Sequence, residues 1–411
     1  MWYSRCITQT AKIERIAAVS GAFTPGAPVD SLDMLAGRMN QLVDVVSAVS
    51  MRGQHVGLYG ERGVGKTSLA KVLAEYFSDT GLATGLTSVV VNCSTDDSFD
   101  SLWHNILTEL GIDGDGEYAP EFVRRTLEQV GPALIVIDEL DRLEDDDALT
   151  SMADTLKTLS DHAVPATLVL VGVARSIGEL VGEHASIVRA LVQIEMPRMT
   201  TTELCEILTK GGTRAGVTLK GDAMLDIAAL SEGLPHYTHL LGLHASRAAV
   251  QDDRTEVTAQ DVRNAIPQAV DRHTIMSDYQ RATRSARKDA LFAEVLLACA
   301  LAPKNKLGFF TSGDIRDPLE VIAGRRIEIP AFSNHLSQFL EPERGSVLER
   351  EGSSRRYFYR FSDPIFQPYV LLSGLSEELI TDDQLWELQS RDVEPEATPE
   401  TRSTNAPQRL F

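Results

Sequence analysis

The residues best suited to chemistry occupy positions 60–68, which read GERGVGKTS. Gly60, Gly65, Lys66 and Thr67 have the spacing of a phosphate-binding loop, in which glycines let backbone N–H groups curl around phosphate oxygens. Lys66 would carry a positive charge to the outer phosphates, and the Thr67 hydroxyl is a suitable Mg²⁺ ligand. We therefore predict a nucleoside-triphosphate site. Its predicted contacts are Gly60, Glu61, Arg62, Gly63, Val64, Gly65, Lys66, Thr67 and Ser68.

A second chemical feature follows a buried strand pattern at residues 133–141, which read ALIVIDELD. Such a strand delivers carboxylates to the carboxyl edge of a parallel sheet. Asp138 would support the Mg²⁺ ion, and Glu139 would orient and polarise an attacking water molecule. The alternative is a core strand followed by a solvated acidic turn. Together with the loop, the pair predicts Mg²⁺-dependent triphosphate hydrolysis, with Lys66 and Glu139 as catalytic residues.

The elements around these motifs alternate between strand and helix patterns. An amphipathic helix over Met39–Val49 precedes the loop, and a helix over residues 68–77 would begin under the phosphates and add its positive end to the site. Predicted strands cover residues 55–59, 87–91, 133–137, 167–173 and 191–194. Predicted helices between them cover residues 68–77, 99–110, 121–130 and 149–160. This alternation predicts an α/β fold, a P-loop doubly wound parallel sheet.

At 411 residues the chain exceeds what one core usually supports, so we expect several domains. Beyond residue 200 helical spacing replaces the strand pattern. The later part predicts a winged helix: a helix at residues 289–301, one capped by Thr311 or Ser312, one starting at Pro330, and a hairpin of residues 347–350 and 357–361. The predicted domains are a leader (1–30), a P-loop ATPase core (31–200), a helical lid (201–286), a winged-helix domain (287–376) and an acidic, disordered tail (377–411).

Charge is unevenly distributed along the chain, whose formal net charge is −20. Residues 284–360 carry 13 Lys and Arg against 10 Asp and Glu, a balance of +3. Only this block could approach a nucleic-acid backbone without strong repulsion. Its arginines are interleaved with aromatic residues on the predicted hairpin, a pattern that fits either DNA or a protein partner. These arginines are Arg350, Arg355, Arg356 and Arg360.

Neither a membrane span nor an export signal is evident in the sequence. The longest wholly apolar run, residues 295–302, is far too short to cross a bilayer. The four cysteines lie far apart and show no paired metal spacing. We expect a cytoplasmic protein without structural disulfides and without a membrane partner.

Taken together, these residues resemble initiator-type AAA+ ATPases, the branch that includes archaeal and eukaryotic origin-recognition ATPases. Residues 35–42 (LAGRMNQL) resemble the entry motif ahead of the phosphate loop. Residues 196–208 resemble the passage into the helical lid, residues 233–241 the sensor-2 segment, and residues 359–370 the end of the winged-helix domain. The resemblance implies ATP or ADP with Mg²⁺ as ligands, and a homo-oligomer or a related ATPase subunit as partner.

The resemblance also assigns roles to single residues. It implies that Arg38 lies beside the adenine and that His236 stands in for the sensor-2 arginine, although a neutral imidazole reaches less far than a guanidinium. At the sensor-1 position the sequence has Ala174, so Arg175 or Ser176 would have to substitute. Slow or partner-dependent hydrolysis is the expected consequence. A purely structural contact is the alternative for His236.

Arg189 stands where related ATPases place an arginine that reaches into the neighbouring subunit's site. Such an arginine stabilises charge on the transferring phosphoryl group. The alternative is a surface arginine without a partner, and Arg198 is the weaker second candidate for the role. The resemblance thus implies an ATPase that couples its nucleotide state to oligomer or partner assembly, with DNA as one candidate partner. The alternative is a nucleotide-operated signalling or defence switch whose winged helix binds protein.

Overall fold

The computed structural model of the protein describes residues 2–79, 86–112, 118–174, 189–271, 275–285, 290–305, 307–353 and 356–391. The chain forms two compact units. The first contains Met1–Met276 together with Asp363–Leu372, and the second contains Ser277–Ser362 with Ser373–Phe411. The predicted core and residues 201–276 of the predicted lid fall within the first unit, whereas residues 277–286 belong to the second. The predicted domain bounds stay a prediction.

A five-stranded parallel sheet forms the centre of the first unit, in the order β2-β3-β4-β1-β5. Its strands are β1 (His55–Gly60), β2 (Thr87–Asn92), β3 (Ala133–Asp138), β4 (Ala166–Val173) and β5 (Leu191–Glu195). Every residue of β3 is buried, which explains its uninterrupted apolar sequence. The predicted α/β doubly wound sheet is confirmed, and each strand agrees with its prediction to within one residue.

Helices pack against this sheet and against one another. Among the described residues, the helices before β5 are α1 (Trp2–Ala22), α2 (Met39–Val49), α3 (Lys66–Asp79), α4 (Phe99–Glu109), α5 (Pro120–Val130) and α6 (Asp146–Asp161). Ser98 caps α4, Pro120 opens α5, and the Asp145 carboxylate caps α6. The central strands β3 and β4 are thereby covered by apolar side chains.

After β5 the first unit becomes helical, as predicted. Its helices are α7 (Thr201–Ala215), α8 (Gly221–Leu230), α9 (Pro235–Gln251) and α10 (Ala259–Asp271). Two very short strands, β6 (Thr218–Leu219) and β7 (Glu256–Val257), pair in parallel among these helices. The Thr200 hydroxyl and the Glu203 carboxylate form a reciprocal capping box at the start of α7.

The predicted leader contains the long helix α1, which packs on α7 and α9. Phe23 follows this helix and is fully buried against Gly211 and Gly242. Its ring also meets that of His239, with centroids 6.2 Å apart. The end of α1 and Phe23 are therefore part of the helical region's core.

The second unit contains the elements predicted for a winged helix. Its helices are most of α11 (Met276–Thr283), then α12 (Phe292–Leu301), α13 (Arg316–Ala323) and α14 (Ile329–Gln338). Strands β8 (Leu348–Ser353) and β9 (Arg356–Phe361) form an antiparallel hairpin, with Leu348 opposite Phe361. The predicted cap of α13 is wrong: the Thr311 hydroxyl donates to the Asp314 carboxylate in a preceding turn, and α13 begins only at Arg316.

The final described elements are α15 (Phe366–Ser376) and α16 (Asp382–Arg391). The predicted tail is therefore helical over Asp382–Arg391, because Leu385 and Leu388 are buried there. The rest of the disorder predicted for the tail falls mainly on residues 392–411, outside the described residues. Among the described helices none has the length and apolar character needed to cross a bilayer. The cytoplasmic location stays a prediction.

Candidate nucleotide site

The phosphate-binding loop lies between the end of β1 and the start of α3, as its sequence predicts. Gly63 and Gly65 have backbone φ angles of 85° and 95°, which residues with a Cβ atom rarely adopt. The Lys66 ammonium is almost fully buried and donates hydrogen bonds to the carbonyl oxygens of Gly60 (2.9 Å) and Glu61 (2.8 Å). The loop therefore curls around the charge that would meet the outer phosphates.

Two side chains of the loop are engaged with other parts of the first unit. The Glu61 carboxylate accepts a hydrogen bond from Arg198 Nε at 2.8 Å. The Arg62 guanidinium pairs with the Asp363 carboxylate at 3.1 Å. At position 61 the backbone N–H is thus the contact that the loop can offer to a phosphate, whereas the largely exposed Arg62 side chain also lines the cavity described below.

The two predicted catalytic carboxylates lie at the end of β3. Asp138 is 3% exposed, and its Oδ1 accepts a hydrogen bond from the Glu139 N–H at 2.8 Å. Glu139 has a left-handed backbone, with φ 55°, which costs free energy for a non-glycine residue and is common at functional positions. Its Oε2 accepts a hydrogen bond from Arg142 at 2.9 Å. Arg142 is a neighbour of the site that the sequence analysis did not identify.

Strand β4 lies between β1 and β3 in the sheet, so its end lies between the loop and the carboxylates. The Asp141 Oδ1 accepts a hydrogen bond from the Val173 N–H at 2.7 Å and ties the turn after β3 to this end. Ala174 follows directly and offers no polar side chain. Arg175 and Ser176, the predicted substitutes, lie outside the described residues.

A cavity of about 950 Å³ joins these motifs. The loop and carboxylate residues that line it are Arg62, Gly63, Gly65, Lys66, Thr67, Ser68, Asp138, Glu139, Asp141 and Arg142. The leader contributes Thr24, Pro25, Gly26, Ala27, Pro28 and Val29, and the segment that follows it contributes Met34, Leu35, Ala36 and Arg38. Gly172, Val173, Met199, Ile207, Pro235, His236, His239 and Ile365 complete the lining. The lining thus combines charged side chains and loop amides with many apolar side chains.

Arg38 lies in the wall of this cavity with only 1% of its surface exposed. Its Nη2 donates to the carbonyl oxygens of Val64 (2.9 Å) and Pro197 (2.7 Å). Its Nε and Nη1 have no hydrogen-bond partner among the described residues. Burial also lowers the pKa of the guanidinium. Buried donors without partners are costly, so they fit a ligand that brings acceptor atoms, such as a nucleotide.

His236 and His239 enter the cavity from α9. His236 Nδ1 lies 2.8 Å from the Pro25 carbonyl oxygen, so this nitrogen carries the proton and donates it. His239 Nδ1 accepts a hydrogen bond from the Thr24 N–H at 3.3 Å. Burial lowers the pKa of His236 and lowers that of His239 to about 4, so both rings are neutral near pH 7. The predicted nucleotide contact of His236 stays a prediction.

The leader's place in the cavity wall was missed by sequence reasoning. The Val29 N–H donates to the Ser68 hydroxyl at 3.2 Å, so the leader is attached directly to the first turn of α3. The available signal was the Pro-Gly-Ala-Pro run at residues 25–28, which indicates an extended segment that cannot continue α1. Nothing in that run indicates which ligand or element it contacts.

Thr67 and Asp138 both line the cavity and provide oxygen atoms, the ligand type that Mg²⁺ prefers. No group of three or more His, Cys, Asp or Glu side chains that could hold a metal occurs among the described residues. This donor set fits an ion that keeps waters and is completed by substrate phosphates. The fit supports Thr67 and Asp138 as the residues that would hold Mg²⁺.

The two arginines considered for a neighbouring site differ in their surroundings. Arg189 is exposed just before β5, and its carbonyl oxygen accepts a hydrogen bond from Gln54 Nε2 at 3.2 Å. It is not among the residues that line the cavity of its own chain. Arg198 is committed to Glu61 and also donates to the Glu232 carbonyl oxygen at 3.1 Å. Arg189 therefore remains the better candidate for action on another subunit.

A family model described as an AAA domain matches residues 50–180. This range contains the phosphate loop, the two carboxylates and strands β1–β4. This match agrees with the predicted resemblance to AAA+ ATPases, while the predicted bounds of the core stay a prediction. No curated protein matches the chain.

Several solved structures align with most of the chain at low sequence identity. Cdc6p from Pyrobaculum aerophilum is 18% identical, with a TM-score of 0.46 and coverage of 88% of this chain and 99% of that one. The Aeropyrum pernix ORC1 protein, solved in complex with DNA, is 18% identical, with a TM-score of 0.48 and coverage of 87% and 97%. The Walker-type ATPase of Pyrococcus abyssi is 14% identical, with a TM-score of 0.49 and coverage of 84% and 98%.

Proposed function

We propose that the chain binds ATP with Mg²⁺, hydrolyses it, and couples its nucleotide state to the assembly of an oligomer or a partner complex. The observation that carries this proposal is the cavity shared by the Lys66 loop, the Asp138–Glu139 pair and Arg38, whose Nε and Nη1 have no partner in the described part of the chain. Their sequence separation is large, but β1 and β3 bring them to the same edge of the sheet. Such a site can bind a triphosphate and a metal together.

Each residue of the site has a role that follows from its chemistry. The loop amides and Lys66 would hold the phosphates, while Thr67 and Asp138 would hold Mg²⁺. The bound ion would neutralise charge that develops on the phosphate oxygens. Glu139 would orient the attacking water, and Arg38 would donate to the nucleotide at the other side of the loop. With Ala174 after β4 and a neutral His236, an arginine from a second subunit would supply the missing positive charge.

The test separates binding from hydrolysis. Glu139→Gln should retain ATP affinity and reduce steady-state phosphate release by about a hundredfold or more, because the water loses its orienting carboxylate. Phosphate release and ATP titration of the same preparations measure both effects. Glu144→Gln, an acidic residue after the same strand but outside the cavity wall, is the matched control. Unchanged hydrolysis in Glu139→Gln would contradict the assigned role.

A second candidate is a signalling switch whose hairpin unit binds protein. The observation in its favour is the engagement of the hairpin arginines: Arg350 lies 4.2 Å from the Tyr357 ring centroid, and Arg356 lies 5.0 Å from that of Phe358. Arg360 pairs with Glu349, and Arg355 lies outside the described residues. The exposed residues of α14 are moreover uncharged, which gives little attraction to phosphates.

DNA binding over a salt series discriminates between the two candidates. Affinity that falls steeply with salt would favour assembly on DNA, because phosphate contacts release counterions. A nucleotide-dependent change of oligomer size without DNA affinity would favour the switch. Gel filtration with ATP, with ADP and without nucleotide provides that second readout.

A further inference from the structure

A short segment far from the ATPase motifs in the sequence contacts the phosphate loop. This segment, residues 363–367 (DPIFQ), belongs to the first unit although the chain on both sides of Asp363–Leu372 belongs to the second. We call it the brace segment. From the sequence alone, these residues resemble only the end of a winged-helix domain.

The first contact of the brace segment is with the middle of the loop. Asp363 Oδ2 pairs with Arg62 at 3.1 Å, and Asp363 Oδ1 accepts a hydrogen bond from the Ile365 N–H at 3.0 Å. Ile365 packs so closely on Gly63 that a Cβ there would come within 3.1 Å of its Cγ1. The carboxylate is thus fixed by its own turn before it meets the loop.

The second contact runs through Arg198. Gln367 is 2% exposed, and its Oε1 accepts a hydrogen bond from Arg198 Nη1 at 3.3 Å. Its Nε2 donates to the Glu232 carboxylate at 3.0 Å. Arg198 in turn donates to Glu61 at 2.8 Å. Two consecutive loop side chains, those of Glu61 and Arg62, are therefore held by one segment.

The segment is itself anchored to α9. The Tyr237 hydroxyl donates to the Ile365 carbonyl oxygen at 2.7 Å, and Tyr237 is fully buried. Tyr237 follows His236, so the same helix turn contacts both the brace segment and the cavity. Ile365 also lines the cavity beside the loop.

We propose that the brace segment is a positioning part of the nucleotide site, which holds the loop so that its amides stay directed at the phosphates. This inference rests on the proposed nucleotide binding. Asp363 acts through Arg62, Gln367 acts through Arg198, and Ile365 supports Gly63. The brace segment lies in the sequence between two stretches of the second unit, so part of the nucleotide site comes from the C-terminal part of the sequence.

The test is a double-mutant cycle on the Arg62–Asp363 pair in the full chain, read out by titration with Mg²⁺-ADP. Arg62→Ala and Asp363→Ala should each weaken ADP affinity about three- to tenfold, and together no more than either alone, since they remove the same contact. The charge-swapped double variant, R62D with D363R, should recover most of the wild-type affinity. A separate variant, Ile365→Ala, should also weaken binding.

The matched control is Glu256→Ala, which removes an exposed ion pair with Lys220 in the helical region of the same unit. It should leave ADP affinity unchanged. Unfolding temperature without nucleotide separates positioning from general stability, because a positioning residue changes the shift caused by ADP more than the value without ADP.

The possible results distinguish the positioning role from the proposed nucleotide binding. Additive losses, no recovery in the charge-swapped variant, or unchanged affinity in Asp363→Ala would overturn the positioning role while leaving the proposed nucleotide binding intact. Tighter binding in Asp363→Ala would also overturn it, because Asp363 would then compete with phosphates for Arg62. Failure of the wild-type chain to bind ADP or ATP would overturn both proposals.

Discussion

Lys66 should give nucleotide binding a characteristic pH dependence. Burial lowers the pKa of its ammonium group to about 8. Bound phosphates favour the charged form and raise that pKa, so affinity is full below pH 8 and falls as the pH rises above it, by up to about tenfold per pH unit. ADP titrations from pH 7 to pH 9 measure this fall. Lys66→Ala should show weak binding without the same slope, and an equal slope in both proteins would contradict the assignment.

Arg142 should restrain hydrolysis through Glu139. One carboxylate oxygen of Glu139 is occupied by the Arg142 guanidinium at 2.9 Å and is less available to an attacking water. Both side chains are half-exposed, so the pair is weak, and Arg142→Ala should raise the rate of ATP hydrolysis about two- to fivefold. Arg142→Lys should remain near the wild-type rate.

Arg125→Ala is the control for that change, because Arg125 forms a comparable exposed pair with Glu121 on α5, away from the cavity. Steady-state phosphate release at saturating ATP is the measurement. A slower rate in Arg142→Ala would show that the arginine supports Glu139 in catalysis instead.

The elements of the sheet were predictable from the sequence because each is defined by local pattern. β3 is apolar throughout and ends at an acid, and the loop after β1 has glycines at the positions with positive φ. The winged-helix hairpin was also recognisable from two alternating runs. These features require no knowledge of distant residues.

The leader and the brace segment were not predictable, because their roles depend on contacts over long sequence separations. α1 has a weakly amphipathic sequence, and its partners α7 and α9 lie some two hundred residues away. In the sequence, Asp363 looks like an ordinary aspartate in a turn, and only the structure shows that it pairs with Arg62. Arg142 was missed for another reason: it looked like part of a solvated acidic turn.

The leader should respond to nucleotide as an element of the site. Residues 24–29 line the cavity, and the Val29 N–H is bonded to Ser68. Mg²⁺-ADP should therefore slow amide hydrogen exchange over residues 24–29 together with residues 60–68. Helix α8, Gly221–Leu230, contributes no lining residue and serves as the internal control. Protection of the loop without protection of the leader would contradict this placement.

At the scale of the whole molecule, Arg189 should link hydrolysis to assembly. It is exposed and lies outside the cavity wall of its own chain, as expected of an arginine that acts on a neighbour. Lys66→Ala and Arg189→Ala proteins should each be inactive alone and recover part of the ATPase activity when mixed, because a mixed interface contains one intact site. The ratio of the two variants that gives the highest rate of ATP hydrolysis indicates how the subunits are arranged in the oligomer.

The control for this mixing experiment is Arg52→Ala, because Arg52 is another exposed arginine of the same unit and lies outside the cavity wall. The Arg52→Ala protein should be active alone, and its mixtures with Lys66→Ala should show no more than that activity. Failure of the Lys66→Ala and Arg189→Ala mixture to exceed its components would remove Arg189 from the shared site.

The central claim is that the loop after β1 binds a triphosphate through Lys66 and the surrounding amides. Calorimetric titration of the wild-type chain and of Lys66→Ala with Mg²⁺-ATP tests it most directly. We expect saturable binding by the wild-type chain and at least about a tenfold loss in the variant, since a buried charge-assisted contact is removed. Absence of ATP binding by the wild-type chain, or equal affinity in both proteins, would contradict the account.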